Sequence, residues 1–308
     1  MKHSAGCAST RGNMVEIPQE TGRSVAIERP CLYLVATPIG NLGDITWRAL
    51  QVLAGVDLIL AEDTRNTLRL LDHYQLQRPL ESLHQQNEQA RAESLVRRLR
   101  QESLAMAVVS DAGMPLISDP GFPLVAACVE AGIPVRVIPG PSAVLTALVA
   151  SGLPAATFSF EGFLPARQAA RRARLESLAT AARTLIFFEA PHRILDALAD
   201  VIAAMGEERA VCVARELTKL HEVFYRGSAS AVLKQMQADP HAEKGEIVLL
   251  TGPAPESAGD EALPRRLLTV LLSHLSRRDA VDAVAAATGF PRNRLYDLAL
   301  SLKEEPAP

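Results

Sequence analysis

An excess of charge of one sign is missing from this chain. Its 32 Lys and Arg stand against 35 Asp and Glu, a formal net charge of −3. That balance excludes a chain that binds nucleic acid by bulk positive charge, though not one with local basic patches. Cysteine is sparse. Cys7, Cys31, Cys128 and Cys212 are scattered, with no CxxC pair and no neighbouring His. Their pattern argues against a zinc site and fits reduced, cytoplasmic thiols. No apolar run approaches the about 20 residues of a membrane-spanning helix, so no membrane association is expected. GxGxxG and the Walker lysine are absent, which argues against NAD and ATP. GxSxG and HExxH are absent too, and no cluster of metal ligands stands out.

What is present is an alternation of short apolar runs with Gly/Pro-rich loops. At 308 residues and 48% apolar content, the prior is two ordinary globular domains. Residues 1–30 mix Gly, Ser, Thr, Arg and Glu without periodicity. They read as a disordered tail, or as an over-extended start with Met14 as the initiator. An N-terminal α/β domain is expected over 31–152, with a junction at Gly152–Leu153–Pro154. A second α/β domain covers 153–251. A polar linker and a helical region fill 252–308. The organising stretch runs from Val108 to Leu148 and reads strand, loop, helix, strand, loop, helix. Polar residues gather where its parallel strands would end, and that edge binds ligands in open α/β sheets.

In chain order, Leu32–Ala36 reads as a strand, and Ile45–Ala54 as a helix capped by Asp44. Val56–Ala61 is a strand running into Glu62–Asp63–Thr64–Arg65–Asn66. Those polar residues fit a helix N-terminus as well as a functional loop. Gln86–Arg100 is a helix. Leu104–Val109 and Val135–Ile138 are expected as buried strands, and Ser142 precedes the helix Ala143–Ala150. Strands follow at Thr157–Gly162, Thr184–Phe188, Ala210–Ala214 and Ile247–Thr251. Arg167, Arg171, Arg172 and Arg174 fall within eight residues with no acid between them. A phosphate-contacting patch and a plain surface helix explain them equally. The last two of three C-terminal helices are spaced like a helix-turn-helix.

Six segments carry a resemblance: ATPIGNLGDIT, AEDTRNT, SDAGMPLISDPG, IPGPSA, FFEAPHRI and ARELTKLHE, in this order. Together they resemble the ribosomal RNA small subunit methyltransferase I family, a branch of the tetrapyrrole methylase superfamily. The resemblance covers Cys31 to Leu302. It implies two α/β domains of tetrapyrrole-methylase type with an interdomain cleft, plus the helical C-terminal region. It also implies S-adenosyl-L-methionine as cofactor and 2′-O-methylation of a cytidine ribose in 16S rRNA. The partner would be the small ribosomal subunit, and the enzyme a homodimer. By motif, the cofactor contacts would be Pro38, Ile39, Ser110, Asp111, Met114, Ser142, Ala143, Glu189, Leu217 and Thr218. The loop TPIGNLGD replaces the superfamily's GxGPGD, and Glu189 replaces an apolar residue. Both departures match the RNA branch and count against a porphyrin substrate.

Methyl transfer to a hydroxyl needs an oriented nucleophile and a proton acceptor. Glu189, Asp63, His192 and Glu62 are the candidate bases at strand ends. Arg65, Arg167, Arg171, Arg172, Arg193, Arg215 and Lys219 are the candidate RNA contacts. A structural salt-bridge network among the same groups is the competing explanation. Two other functions stay open on the residues alone: a small-molecule methylase of tetrapyrrole type, and a non-catalytic RNA-binding protein.

Overall fold

The structure is a computed structural model that describes residues 25–255 and 262–304. The expectations for residues 1–24, including Met14 as initiator, and for the middle of the linker lie outside the described residues. The chain divides into two compact units. One holds Leu42–Pro141 with the segment up to Pro38; the other holds Ile39–Asn41 and everything from Ser142 onward.

The first unit alternates strand and helix: β1 (Cys31–Val35), α1 (Trp47–Gly55), β2 (Leu58–Ala61), α2 (Thr64–His73), β3 (Leu80–Ser82), α3 (Glu88–Gln101), β4 (Ala105–Val109), α4 (Phe122–Glu130) and β5 (Val135–Ile138). The sheet order is β3-β2-β4-β1-β5, and all its pairs are parallel. Alternate residues of the apolar strands serve opposite faces. Cys31, Tyr33, Val35, Ile59, Ala61, Ala107 and Val109 pack with Val52 and Leu53 of α1 and Leu71 of α2. Leu32, Leu34, Leu58, Leu60, Met106 and Val108 pack with Leu95 and Leu99 of α3 and Leu124 and Cys128 of α4. Both faces are covered, which is why these strands read as continuous apolar runs rather than alternating ones.

Three local expectations are corrected. The side chain capping α1 is that of Thr46, which accepts from the Ala49 N–H; Asp44 lies in a preceding single 3-10 turn. β3 did not stand out because its three residues are only half-buried. β5 is an edge strand rather than a buried one, with Val137 half exposed.

The second unit begins with α5 (Ala143–Ala150), ahead of the junction expected at Gly152. It continues with β6 (Phe158–Phe163), α6 (Gln168–Leu178), β7 (Thr184–Glu189), α7 (Ile194–Met205), β8 (Ala210–Arg215), β9 (Val223–Ser228), α8 (Ala229–Ala238) and β10 (Ile247–Thr251). The sheet order is β6-β7-β10-β8-β9; only β6 and β7 pair in parallel. One face packs Leu185, Phe187, Val211, Val213 and Leu249 against α6, α7 and α8. The other packs Ile186, Cys212, Ala214, Val248 and Leu250 against Val144, Ala147 and Leu148 of α5, together with Ile39 and Leu217. That burial draws α5 and the Ile39–Asn41 segment into this unit.

The C-terminal helices are α9 (Ala262–Leu271), α10 (Arg277–Thr288) and α11 (Arg292–Glu304). They close on a core of their own built from Leu268, Val281, Val284, Leu295, Leu298 and Ala299. No helix among the described residues is long and apolar enough to cross a membrane.

Candidate active site

In the first unit every strand runs the same way, so the loops after β1, β2, β4 and β5 emerge at one edge. β1 and β4 are neighbours, but their connections leave in opposite directions. β1 leads across to β2, whereas β4 leads over β1 to β5. The helices that follow them, α1 and α4, cover opposite faces of the sheet. Such a switch point opens a crevice at the carboxyl ends of the strands.

The loop after β1 is tied there to the loop after β4. Thr37 N–H donates to the Gly113 carbonyl (2.9 Å), and Gly113 N–H donates back to that of Thr37 (3.0 Å). The buried Thr37 hydroxyl donates to the Ser110 carbonyl at 3.1 Å. The β2 and β4 loops meet through Asp111, which accepts from the Asp63 N–H at 3.2 Å and the Asn66 amide at 3.0 Å. Leu116 and Ser118, two non-glycine residues of the same loop, hold positive φ of 73° and 69°. Such backbone costs about 1–3 kcal/mol per residue and is found where a loop is shaped for a ligand.

Four carboxyls therefore share one sheet edge: Glu62, Asp63, Asp111 and Asp119. Their environments split them. Asp63 caps α2, accepts from the Arg65 N–H at 2.8 Å, and ion-pairs with the Arg65 guanidinium at 2.6 Å. The guanidinium, then the helix N–H, holds the Asp63 carboxyl down at about 2. Burial, then the neighbouring Asp119, Asp111 and Asp63, raises Glu62. Burial also pushes Asp119 up to about 6; a hydrogen bond from Ser110 opposes that rise and the Asp111 charge adds to it. Asp119 was not among the sequence candidates. It sits in an Asp-Pro-Gly that reads as a turn, and only the folded loop buries it beside three other acids.

In the second unit, β7 and β8 both run antiparallel to β10, so their carboxyl ends share an edge. Glu189 and Arg215 lie opposite Ile247 from its two sides. Ile247 belongs to the cluster under α6–α8, and residues in one row of a sheet share a face. Glu189 and Arg215 therefore point inward, on the face opposite Leu217 and Ile39. The Glu189 carboxylate accepts from the Ala190 N–H at 2.7 Å and from the Arg193 guanidinium. Its Oε2 is buried without a partner among the described residues. The partnered oxygen, Oε1, shapes the Glu189–Arg193 turn. His192 is exposed in that turn.

The loop after β8 alternates positive φ at Glu216 (54°) and Thr218 (64°). Lys219 ties it down by ion pairs to Glu216 (2.8 Å) and Glu246 (3.3 Å). Gly40 lies against this loop. A Cβ there would sit 2.7 Å from the Leu217 carbonyl oxygen and 2.9 Å from the Thr218 hydroxyl. That hydroxyl is buried with no hydrogen-bond partner among the described residues. Ser142 caps α5 by accepting from the Leu145 N–H at 3.5 Å, so its hydroxyl is also a structural group.

The arginines divide by burial. Arg171 is 3% exposed and pairs at 2.8 Å with the fully buried Asp200. The expectation that it contacts RNA is corrected: it anchors α6 to α7. Arg215, 8% exposed, is likewise interior and corrected. Arg172 shares Asp200 at 2.6 Å but leaves 47% of its side chain open. Arg65 (84% of its side chain) and Arg167 are exposed. Arg193 and Lys219 are half-buried in the ion pairs above. Among the described residues, no group of three or more His, Cys, Asp or Glu is placed to hold a metal ion.

Comparison with known proteins agrees with this architecture. The family model described as tetrapyrrole (corrin/porphyrin) methylases matches residues 31–233, and the one described as the RsmI C-terminal HTH domain matches 258–303. The chain is similar to proteins named ribosomal RNA small subunit methyltransferase I. For that of Vibrio cholerae serotype O1, identity is 48% over 270 residues, 87% of this chain and 93% of the relative. For that of Haemophilus influenzae it is 48% over 277 residues, 89% and 98%. Among solved structures, the methyltransferase CobJ matches with TM-score 0.54 at 20% identity, over 72% of this chain and 94% of that one. Diphthine synthase matches with TM-score 0.53 at 15% identity, over 72% and 90%. These structures share the fold alone. The six loop motifs at the two sheet edges, the match to both family models and near-half identity to the curated relatives converge: the chain belongs to the ribosomal RNA small subunit methyltransferase I family of the tetrapyrrole methylases.

Proposed function

We propose that this protein uses S-adenosyl-L-methionine to methylate the ribose 2′-oxygen of a cytidine in 16S rRNA. The observation that carries the reading is the near-half identity, over almost the whole length, to relatives named for small-subunit rRNA methylation. The enzyme acts in the cytoplasm, on the small ribosomal subunit, as a homodimer.

The residues present fit the cofactor. The acidic edge around Asp111 suits a ligand that carries positive charge. The Thr218 hydroxyl, unpartnered among the described residues, and the clearance kept by Gly40 suit close approach of a polar ligand to that loop. By the resemblance of their motifs, Pro38, Ile39, Ser110, Asp111, Met114, Ser142, Ala143, Leu217 and Thr218 would be the residues that hold it. When bound, S-adenosylmethionine supplies an electrophilic methyl group on a sulfonium, open to in-line displacement.

The protein's own part is to position the ribose and accept a proton. Asp63, held ionised by Arg65, is a weak acceptor. Glu62 and Asp119, whose ionisation burial makes harder, are the better bases; Asp119, at about 6, titrates close to neutral pH. Arg65, Arg167 and Arg172 keep side chains open to water, where phosphates can reach them. Arg193 and Lys219 act one step back by holding the turns after β7 and β8. A ribose hydroxyl as acceptor makes DNA inert and favours a splayed, unpaired nucleotide.

The test is methyl transfer from labelled S-adenosylmethionine to small subunits, naked 16S rRNA and a uroporphyrinogen-type tetrapyrrole, with wild type and Asp111→Ala. Label in subunits or rRNA, lost in the variant, is expected. Label in the tetrapyrrole alone would overturn the reading. RNA binding with no transfer to any acceptor would replace it with that of a binding protein.

A further inference from the structure

The C-terminal helices carry a second feature that methyl transfer does not use. α10 and α11 are joined by a short turn in which Gly289 adopts the left-handed conformation (φ 70°) that ends α10. Between the helices lies a notch of about 260 Å³. Arg278, Val281 and Asp282 line it from α10, and Arg292, Asn293 and Tyr296 from α11.

Its chemistry differs from that of a packing defect. Val281 is the only apolar side chain in the lining and is 3% exposed, as a floor would be. Tyr296 keeps 45% of its surface open. The Arg277 guanidinium lies 5.9 Å from the centre of its ring. An aromatic ring with an arginine beside it is a platform for stacking a base. Arg292 is neutralised by its ion pair with Asp282. Arg278 is exposed and has no ion-pair partner among the described residues, so the notch keeps a net cation at its rim. Asn293 adds an amide able to donate and accept at a base edge.

The placement also fits. In a helix-turn-helix the N-terminal part of the second helix faces the nucleic acid, and here its first turn carries Arg292 and Asn293, with Tyr296 one turn above Arg292. The deep major groove of A-form RNA does not admit side-chain reading, so sequence contacts to RNA go to unpaired, splayed bases. The notch falls just under the about 300 Å³ at which small-ligand pockets begin, which suits one base rather than a duplex.

We propose that the α10–α11 notch is a second RNA-binding site, which takes one unpaired nucleotide by stacking its base on Tyr296 and its phosphate against Arg278. The proposal rests on the rRNA reading above and deepens it: this contact selects the RNA, apart from the methyl-transfer chemistry.

The experiment uses the full chain. KM and kcat are measured with small subunits, and binding is measured with a fluorescent single-stranded oligonucleotide of 16S rRNA sequence. Tyr296→Ala is expected to raise KM and the oligonucleotide Kd about tenfold, within the range for loss of one base–aromatic stack. kcat and the thermal shift given by S-adenosylmethionine are expected to hold, and Tyr296→Phe to restore binding. Arg278→Glu, a surface change that spares folding, is expected to weaken both and to lower the salt slope by about one. Wild-type KM and Kd in both Tyr296→Ala and Arg278→Glu would overturn the proposal. A raised KM with unchanged oligonucleotide binding would also overturn it, since the notch would then meet a protein of the subunit. If wild type transfers no methyl to RNA, the functional reading fails on its own, and the oligonucleotide arm still decides the notch.

Discussion

Asp119→Asn is expected to make the protein more stable and less active, and the two effects share one cause. Burial raises the Asp119 carboxyl from an ordinary 3.8 to about 6. Because the folded-state value lies above the unfolded one, the fold favours the protonated acid. That preference is complete below about pH 4 and is lost as pH rises through about 6. Two pH units correspond to about 3 kcal/mol, so at about pH 8 the ionised carboxylate costs the fold up to that amount. Relaxation of the half-buried loop reduces it to about 1–3 kcal/mol. Asn has nearly the same shape and no charge to desolvate. Its gain should appear as a rise of about 2–4 °C in Tm per kcal/mol at about pH 8 and vanish at about pH 4. If Asp119 accepts the ribose proton, kcat falls by about 10²–10⁴ in the same variant. The assays are thermal unfolding across pH and steady-state methyl transfer. A variant no more stable than wild type at high pH, or equally stabilised at low pH, would refute burial as the source of the shift. A variant with wild-type kcat would remove Asp119 as the base and leave Glu62.

Two further outcomes follow from the geometry. Gly40→Ala puts a Cβ 2.5 Å from Lys219 Cγ and 2.7 Å from the Leu217 carbonyl oxygen; backbone must yield, and calorimetry should show S-adenosylmethionine affinity lowered at least about tenfold, a loss of about 1.4 kcal/mol. Arg171→Ala strips the buried Asp200 of its one buried cationic partner and should cost about 3 kcal/mol in denaturant unfolding, whereas Arg172→Ala, with half its side chain in water, should cost under about 1 kcal/mol; equal costs would show that Asp200 does not depend on the buried guanidinium.

Much of the first unit was legible because its strands are covered on both faces. LYLV, LILA and AMAVV have no polar residue to spare, and the loops that follow them concentrate Gly, Pro and acids. β3 escaped notice because three half-buried residues at a sheet edge leave no periodic signal, and β5 was misread as buried although Arg136 interrupts its apolar run, as suits a strand at the rim. In the second unit the strands were readable, but their directions were not. Strand direction depends on which neighbour a strand pairs with, and β10, last among the strands in sequence, inserts between β7 and β8.

The arginines show the same division most plainly. A run of four in eight residues, with no acid among them, reads as one basic patch. Asp200, about thirty residues away and on another helix, takes Arg171 out of that patch and leaves Arg172 partly in it. Glu189 and Arg215 read as strand-end functional groups, yet one row of sheet register turns both toward the helices. The sequence by itself determined the βα alternation, the loops that carry the chemistry and the family, because apolar periodicity and loop motifs are local along the chain. The tertiary structure decided which carboxyl is buried enough to act near neutral pH and which arginines still face water, because burial and partner choice depend on residues far apart in sequence.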